Sequence, residues 1–566
     1  MKAYPFVLIG LLTALVACQS ENELKELRRE LDLSACKIVL LEANTKYLPI
    51  VRIDQSSPST TVLYFEDKTS YLIKNSYLIS IDQNPDTWRA RFNFIDGTVV
   101  SCAMVGHLKI DSTMITLDPF GRAPLSAIAK VVTPITGRFI VVVHGKKPAG
   151  VTISNTFNEF GITHQLPILG LYANYNNQVE FIFTDRNGVV RDSVSVVIKT
   201  GALPISPTIN VTKRSDFSDQ GLYFNSNLPI AYDQNGDVRW YYTGDFSSLY
   251  RKLKNGNILI VSGMNITSLG SKSFFEVSLL GQIKQKYDVP NYFHHEIIEM
   301  PNGNFLVATN SEQNSLGNIK TIADEIVEID RISGKAIKTW DFNLILDPTR
   351  KGLPDVTPGD WLHLNSIFFD KTDNSIIISS RSQSAVAKIA YPSGEVKWIL
   401  ANPNNWSDNF KNLLLQPVNY TSTESEFLKD FWPYGQHSVK LISNGNLLLY
   451  DNGDYREYYD DNLSPQISYT RVAQYKINEE QKTVELVWQF TNNKEIFTYY
   501  TGYTEYLLNS KYLIAYMFGP GPDTPKVIEV NEAGTVLYES TINTGFSYRT
   551  YKYDIYQDVT ERSISF

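Results

Sequence analysis

Asn255-Gly256-Asn257-Ile258-Leu259-Ile260, Asn302-Gly303-Asn304-Phe305-Leu306-Val307 and Asn444-Gly445-Asn446-Leu447-Leu448-Leu449 are three copies of one phrase, a tight turn followed by an apolar strand. Asp373-Asn374-Ser375-Ile376-Ile377-Ile378 and Asn509-Ser510-Lys511-Tyr512-Leu513-Ile514 are weaker copies. A second phrase sets Gly before a strand ending in Trp: Asn235 to Trp240, Ser333 to Trp340 and Ser393 to Trp398. Four-strand units recurring every few tens of residues are the signature of a β-propeller. At ~45–70 residues per blade, loops included, the stretch 206–566 fits six blades, or five to seven allowing for insertions.

Upstream, from about Lys37 to Lys199, alternating runs such as Arg138 to His144, Val179 to Thr184 and Val194 to Ile198 predict one or two β-sandwich modules of immunoglobulin type, the one next to the propeller placed at 110–205. Gly201-Ala-Leu-Pro-Ile-Ser-Pro207 reads as a linker, and 37–109 as a further β-rich module of unknown role. The charged segment Glu21 to Asp32 carries Leu24, Leu27 and Leu31 at helical spacing, so 18–36 reads as a short helical stalk. Before it, residues 1–17 have a charged start, a short apolar core and small residues ahead of Cys18, the pattern of a secretory signal peptide. Leu15-Val16-Ala17-Cys18 resembles the lipobox of bacterial lipoproteins, which implies a lipidated Cys18. The expectation is an exported protein, periplasmic or tethered to the outer membrane, in an all-β fold. Export permits disulfides, and both a Cys36–Cys102 bond and two separate buried thiols are open.

Composition excludes several function classes. Hydrophobic residues are 43% and charged residues 20% of the 566, as in a folded globular chain. A net charge of -8 and no basic run argue against nucleic acid as a partner. There is no CxxC pair, Walker loop, GxGxxG or GxSxG, so thiolate zinc, nucleotide cofactors and a serine nucleophile elbow are not indicated.

The seven histidines are the informative residues. His295 and His437 each lie seven residues before the Asn of a turn phrase, and His363 lies seven before Asp370. Equivalent positions in a propeller are related by rotation about its axis, so these three imidazoles are expected to converge. His294 is adjacent, and alternation along a strand turns it to the other side, which makes it a weaker binding candidate. Arg381 closes the strand after His363 and suits an oxyanion; Asn365 follows His363 by two residues and faces the same way. Such a set could hold zinc or act through a neutral imidazole nucleophile, and an Arg aimed at the centre favours the second. His107, His144 and His164 lie outside the propeller and are assigned to structure.

Phe293-His294-His295-Glu296 with Pro301 to Asn304, Asp360-Trp361-Leu362-His363-Leu364-Asn365-Ser366 with Ser379 to Ser384, and Gln436-His437 with Asn444 to Asn446 and Asp451-Asn452-Gly453 resemble the bacterial arylsulfate sulfotransferase family. Ala123 to Ala127 and Thr163 to Tyr172 resemble that family's N-terminal β domain. The resemblance runs from about 110 onward and leaves 19–109 uncovered. It implies a six-bladed propeller that transfers a sulfuryl group from a small aromatic sulfate ester to a phenol, with no cofactor, no metal and no phosphoadenosine phosphosulfate. His437 corresponds to the nucleophile that forms a sulfohistidine; His295, His363 and Arg381 correspond to residues that hold the sulfuryl oxygens and assist the leaving phenol. Asn365 matches a pocket position. A homodimer lies within what the resemblance implies, but no heptad read from the sequence fixes the oligomeric state. Two other classes stay in view: a surface propeller that only binds a ligand or glycan, and a metal-dependent hydrolase or lyase on the same histidines.

Overall fold

The computed structural model describes residues 21–556 apart from 47, 216–220, 264–269, 311–314, 317–318, 323, 355, 419–429, 457–467, 508–509, 518–523 and 544–546. Cys18 and the signal segment lie outside the described residues.

One long helix, Glu21–Thr45, begins the described chain. Leu33, Cys36, Leu40 and Ala43 form a buried stripe at 3–4 spacing against two three-stranded antiparallel sheets, Ile50–Asp54 to Ser70–Lys74 and Leu78–Asn84 to Val99–Ala103. The sheets share one hairpin design. Asp67 accepts from the Thr69 amide and hydroxyl (2.9 and 2.5 Å), and Asp96 does the same for Thr98 (3.1 and 2.7 Å). The expectation of a helical stalk ending at 36, with strands from Lys37 onward, is corrected here. Lys37-Ile-Val-Leu-Leu41 has strand-like composition, but Leu40 and Ala43 continue the buried stripe, and packing overrides local propensity. Cys36 and Cys102 are separate buried thiols. Burial pushes the Cys102 thiol up to about 12 and raises Cys36 as well, so neither is a reactive thiolate.

The immunoglobulin-like part is built on the strand Ala127–Val143, which pairs with Gly161–Ile168 and Asn176–Asp185 and carries Ile115–Leu117 and Ile153–Thr156 at its ends. Its alternate residues, such as Ala127, Ala129, Phe139, Val141 and Val143, enter a core that continues into Leu222, Phe224, Trp240 and Tyr551 of the following sheets. That junction is also polar and specific. The fully buried Arg239 donates to Gly170 O and Val151 O (both 2.8 Å) and pairs with Asp233 (2.8 Å).

From Leu222 on, most of the described strands fall into six consecutive antiparallel meanders of four strands; Ile209–Arg214 adds an edge strand to one, Gln416–Pro417 pairs parallel at the edge of another, and Ser315–Leu316 with Ile319–Lys320 forms a separate hairpin. The 17-residue strand Ile283–Glu299 ends one meander and begins the next. The last strand, Thr550–Tyr553, pairs with Leu222–Asn225 and completes the first meander. Second strands such as Ile258–Val261 and Ile376–Ile378 are buried on both faces between neighbouring meanders, which explains their unbroken apolar runs. First strands meet one another: Val439 N donates to Ser366 Oγ (3.0 Å) and Thr504 N to Ser438 Oγ (3.2 Å).

Candidate active site

The histidines sit where the first strands begin, and the backbone there is irregular. His295, His363 and Ser438 have φ of 53°, 48° and 55°, left-handed values uncommon for residues with a side chain. Each first strand slips register at this end, between Phe293 and Ile297, Leu364 and Ser366, and His437 and Lys440. Counting back from the turns therefore overstates the equivalence. His295 lies inside a bulge, His363 just before its strand and His437 at the first strand residue. The imidazoles converge all the same: the rings of His295 and His363 are 4.8 Å apart, and Tyr548 lies 5.7 Å from His295 and 6.3 Å from His437.

His437 is buried and its tautomer is determined. Nδ1–H donates to Asn452 Oδ1 at 2.7 Å, and Asn452 Nδ2 in turn donates to the carbonyls of Thr498 and Thr501 (3.0 Å each). The amide cannot flip without losing both bonds, so Nδ1 keeps the proton and Nε2 keeps its lone pair. The Thr501 amide donates to that nitrogen at 3.4 Å, a long bond that an incoming group can replace. Burial first, then the positive fields of His363, Arg381 and Arg549, hold His437 well below the usual imidazole range against the Asn452 bond. Its imidazole is neutral and held in one orientation.

His363 donates Nδ1–H to Asp360 (2.7 Å), which leaves Nε2 as its free edge. Burial and the neighbouring histidines push His295 well down. His294 is not turned away as alternation predicts, because the bulge rotates it: its Nδ1 lies 2.7 Å from Nδ1 of His295, and burial drives it down to about 3. Two protons cannot occupy that contact, so one ring donates and the other accepts. Arg381 Nη2 pairs with Asp454 (2.7 Å) while its buried Nε has no partner among the described residues, and its backbone amide donates to His363 O (3.1 Å). Asn365 does not follow His363 along a strand. It occupies the bulge, donates Nδ2 to Gln436 O (2.7 Å), and leaves a buried Oδ1 unpartnered among the described residues.

Sequence reading missed the acidic partners Asp360 and Asp454, the orienting Asn452, and Tyr548 and Arg549. Arg549 is buried, bonds Glu296 (2.9 Å) and Asn365 O (3.1 Å), and stacks by its guanidinium on Tyr548 (4.7 Å). The Tyr548 hydroxyl and Thr501 Oγ1 are buried without a partner among the described residues. Asn452 stood in the quoted Asp-Asn-Gly and was within reach; Tyr548 and Arg549 belong to no turn phrase, so nothing local marks them. One nucleophilic nitrogen, two further imidazoles and two guanidiniums around one point suit transfer of a compact anionic group.

The family model described as Arylsulfotransferase (ASST) matches residues 208–551, and the Arylsulfotransferase Ig-like domain matches 114–201. Two curated relatives are each called arylsulfate sulfotransferase AssT. That of Escherichia coli O6:H1 (strain CFT073) is 28% identical over 478 residues, covering 66% of this chain and 79% of the relative. That of Lelliottia amnigena is 27% identical with the same coverage. Among solved structures, a protein of unknown function from Bacteroides caccae aligns at 14% identity over 61% of this chain and 99% of its own, with a TM-score of 0.37.

Proposed function

The chain belongs to the arylsulfotransferase family and is an aryl sulfotransferase independent of phosphoadenosine phosphosulfate; from that premise we propose that it carries a sulfuryl group from an aryl sulfate ester to a phenol in two steps through His437. The observation that supports this is the fixed tautomer: Asn452 holds the proton on Nδ1 and leaves the lone pair on Nε2, which meets only the long Thr501 amide contact among the described residues, in a buried, cation-lined space. In the first step Nε2 bonds to sulfur, the S–O(aryl) bond breaks, and the electron pair leaves on the phenol oxygen, which takes a proton from Nε2 of His363 in its imidazolium form, the form its Asp360 carboxylate partner favours. Arg381, with the Thr501 amide, neutralises charge building on the three equatorial oxygens. In the second step an acceptor phenol gives its proton back to that histidine and its oxygen attacks sulfur, returning the lone pair to Nε2. We read the six meanders as the blades of a closed propeller whose first strands surround this point, with Thr550–Tyr553 closing the ring.

The test is intact mass after incubation with an aryl sulfate alone. A gain of roughly 80 Da that disappears on adding a phenol and is absent in His437→Asn is expected. Transfer that proceeds without adduct, or that survives in His437→Asn, overturns the covalent route.

The signal pattern further supports an exported protein anchored by lipid at Cys18. Cys18→Ser is expected to move the protein from the membrane fraction to the soluble one; unchanged partition overturns the anchor.

A further inference from the structure

The helix-and-sheet module of residues 21–106 lies outside both stretches matched by the family models, and a cavity of about 310 Å³ opens where it meets the immunoglobulin-like part. Trp88, Arg89, Met104 and Val105 line it from the first side, Ile135 and Ile162 from the second. Its apolar wall is fixed. Trp88 takes a φ of 52°, and its ring meets Phe183 edge-on at 6.2 Å. Gly106 lies so close to that ring that an added Cβ would come within 2.2 Å of it. Beside the indole, Val105 and Ile162 stay 40% and 52% exposed, so the two parts meet without filling the space between them.

We propose that this cavity binds a small aromatic monoanion, a one- or two-ring carboxylate or sulfonate. The charges on its wall support that class. Arg191 pairs with Asp185 (2.5 Å) and, across the junction, with Glu66, which also ties the two parts together. Arg89 pairs with no carboxylate among the described residues. Ser101 accepts from its Nε and Nη2 (2.7 and 2.9 Å), which holds the guanidinium plane and leaves Nη1 without a partner among the described residues. Arg186 follows the strand Asn176–Asp185 in an exposed turn and makes no ion pair among the described residues. Three arginines thus face two carboxylates on this wall, one net positive charge in a concave and partly apolar space. An anion with a flat apolar body meets both halves: its rings lie along Trp88, Ile135 and Ile162, and its charged end takes the free Arg89 nitrogen. An inorganic anion would leave the apolar wall wet, and an uncharged ring would leave Arg89 unmet. Among the described residues none of the lining comes from the six meanders, so the site stands apart from the histidines and from their sulfuryl chemistry.

The test is calorimetric titration of the full chain, as Cys18→Ser, with 2-naphthoate. One site per chain with a Kd of roughly 10–200 µM is expected, and the uncharged analogue 2-naphthamide should bind at least ~10-fold more weakly. Arg89→Ala with Arg186→Ala should weaken naphthoate at least ~10-fold, and Val105→Trp, which fills the space, should abolish binding, with aryl sulfate turnover unchanged in both. Arg186→Ala alone, in its exposed turn, keeps the test decisive if the other changes disturb folding, and should weaken binding about threefold. No binding up to about 1 mM, equal binding of the amide, or binding indifferent to these changes overturns the proposal. Binding that tracks inhibition of aryl sulfate turnover across the variants assigns the anion to the histidines and overturns it too.

Discussion

The two ends of the first strands obey different rules. At the turn end everything closes locally: Asn255, Asn302 and Asn444 each accept from the backbone amide two residues on (3.1, 3.0 and 3.0 Å), and Gly256, Gly303 and Gly445 take the positive φ. At the histidine end, residues with side chains take positive φ and buried polar atoms of Asn365, Arg381, Thr501, Tyr548 and Arg549 stand without partners among the described residues. Strain and unmet hydrogen bonds thus stand together beside the histidines, and the three Asn-Gly turns at the opposite end stabilise the scaffold that keeps them in place.

That contrast can be broken at the histidine end first. His437→Asn should lower turnover by roughly 10⁴-fold or more, read by phenol release from an aryl sulfate. Arg381→Ala should cost about two to three decades in kcat, since one preorganised donor contributes ~2–4 kcal/mol to the transition state. Asn452→Ala removes the bond that fixes the tautomer and should lower kcat by roughly 10²-fold with little change in KM. A fall confined to KM would show that Asn452 serves binding instead.

A pH titration of stability sharpens the same point. Burial lowers His294 and His437, so below pH ~6.5 the unfolded chain takes up protons that the folded chain refuses. Stability from these groups is present above that pH and falls as pH drops, by up to ~1.4 kcal/mol per pH unit for each histidine, until the folded values are reached. His437→Asn should remove one histidine's share of the slope, measured by urea denaturation between pH 7 and 5. The smallest effect belongs to the turn end. Gly445→Ala, at φ 81° with open space around the added carbon, should cost about 1 kcal/mol of stability and leave turnover unchanged.

What the sequence made legible follows the same division. The turn phrases announce the meanders because an Asn-Gly turn is a local event, decided within four residues. His295, His363 and His437 were picked out because they keep one distance from those turns, and Arg381 because it closes the strand after His363. The bulges were not visible, since an extra residue in a strand changes no composition, and so the expected facing of His294 and Asn365 failed. Tyr548 and Arg549 reach the histidines across more than a hundred residues of chain, and no local spacing encodes such a contact. The helix end at 36 failed for the reverse reason: local composition spoke clearly for strands and tertiary packing decided otherwise.

The pairing of Thr550–Tyr553 with Leu222–Asn225 also sets a clock. Tyr548 and Arg549 arrive beside the histidines only with that strand, so until Thr550–Tyr553 docks on Leu222–Asn225 a folding chain holds His437 without its surroundings.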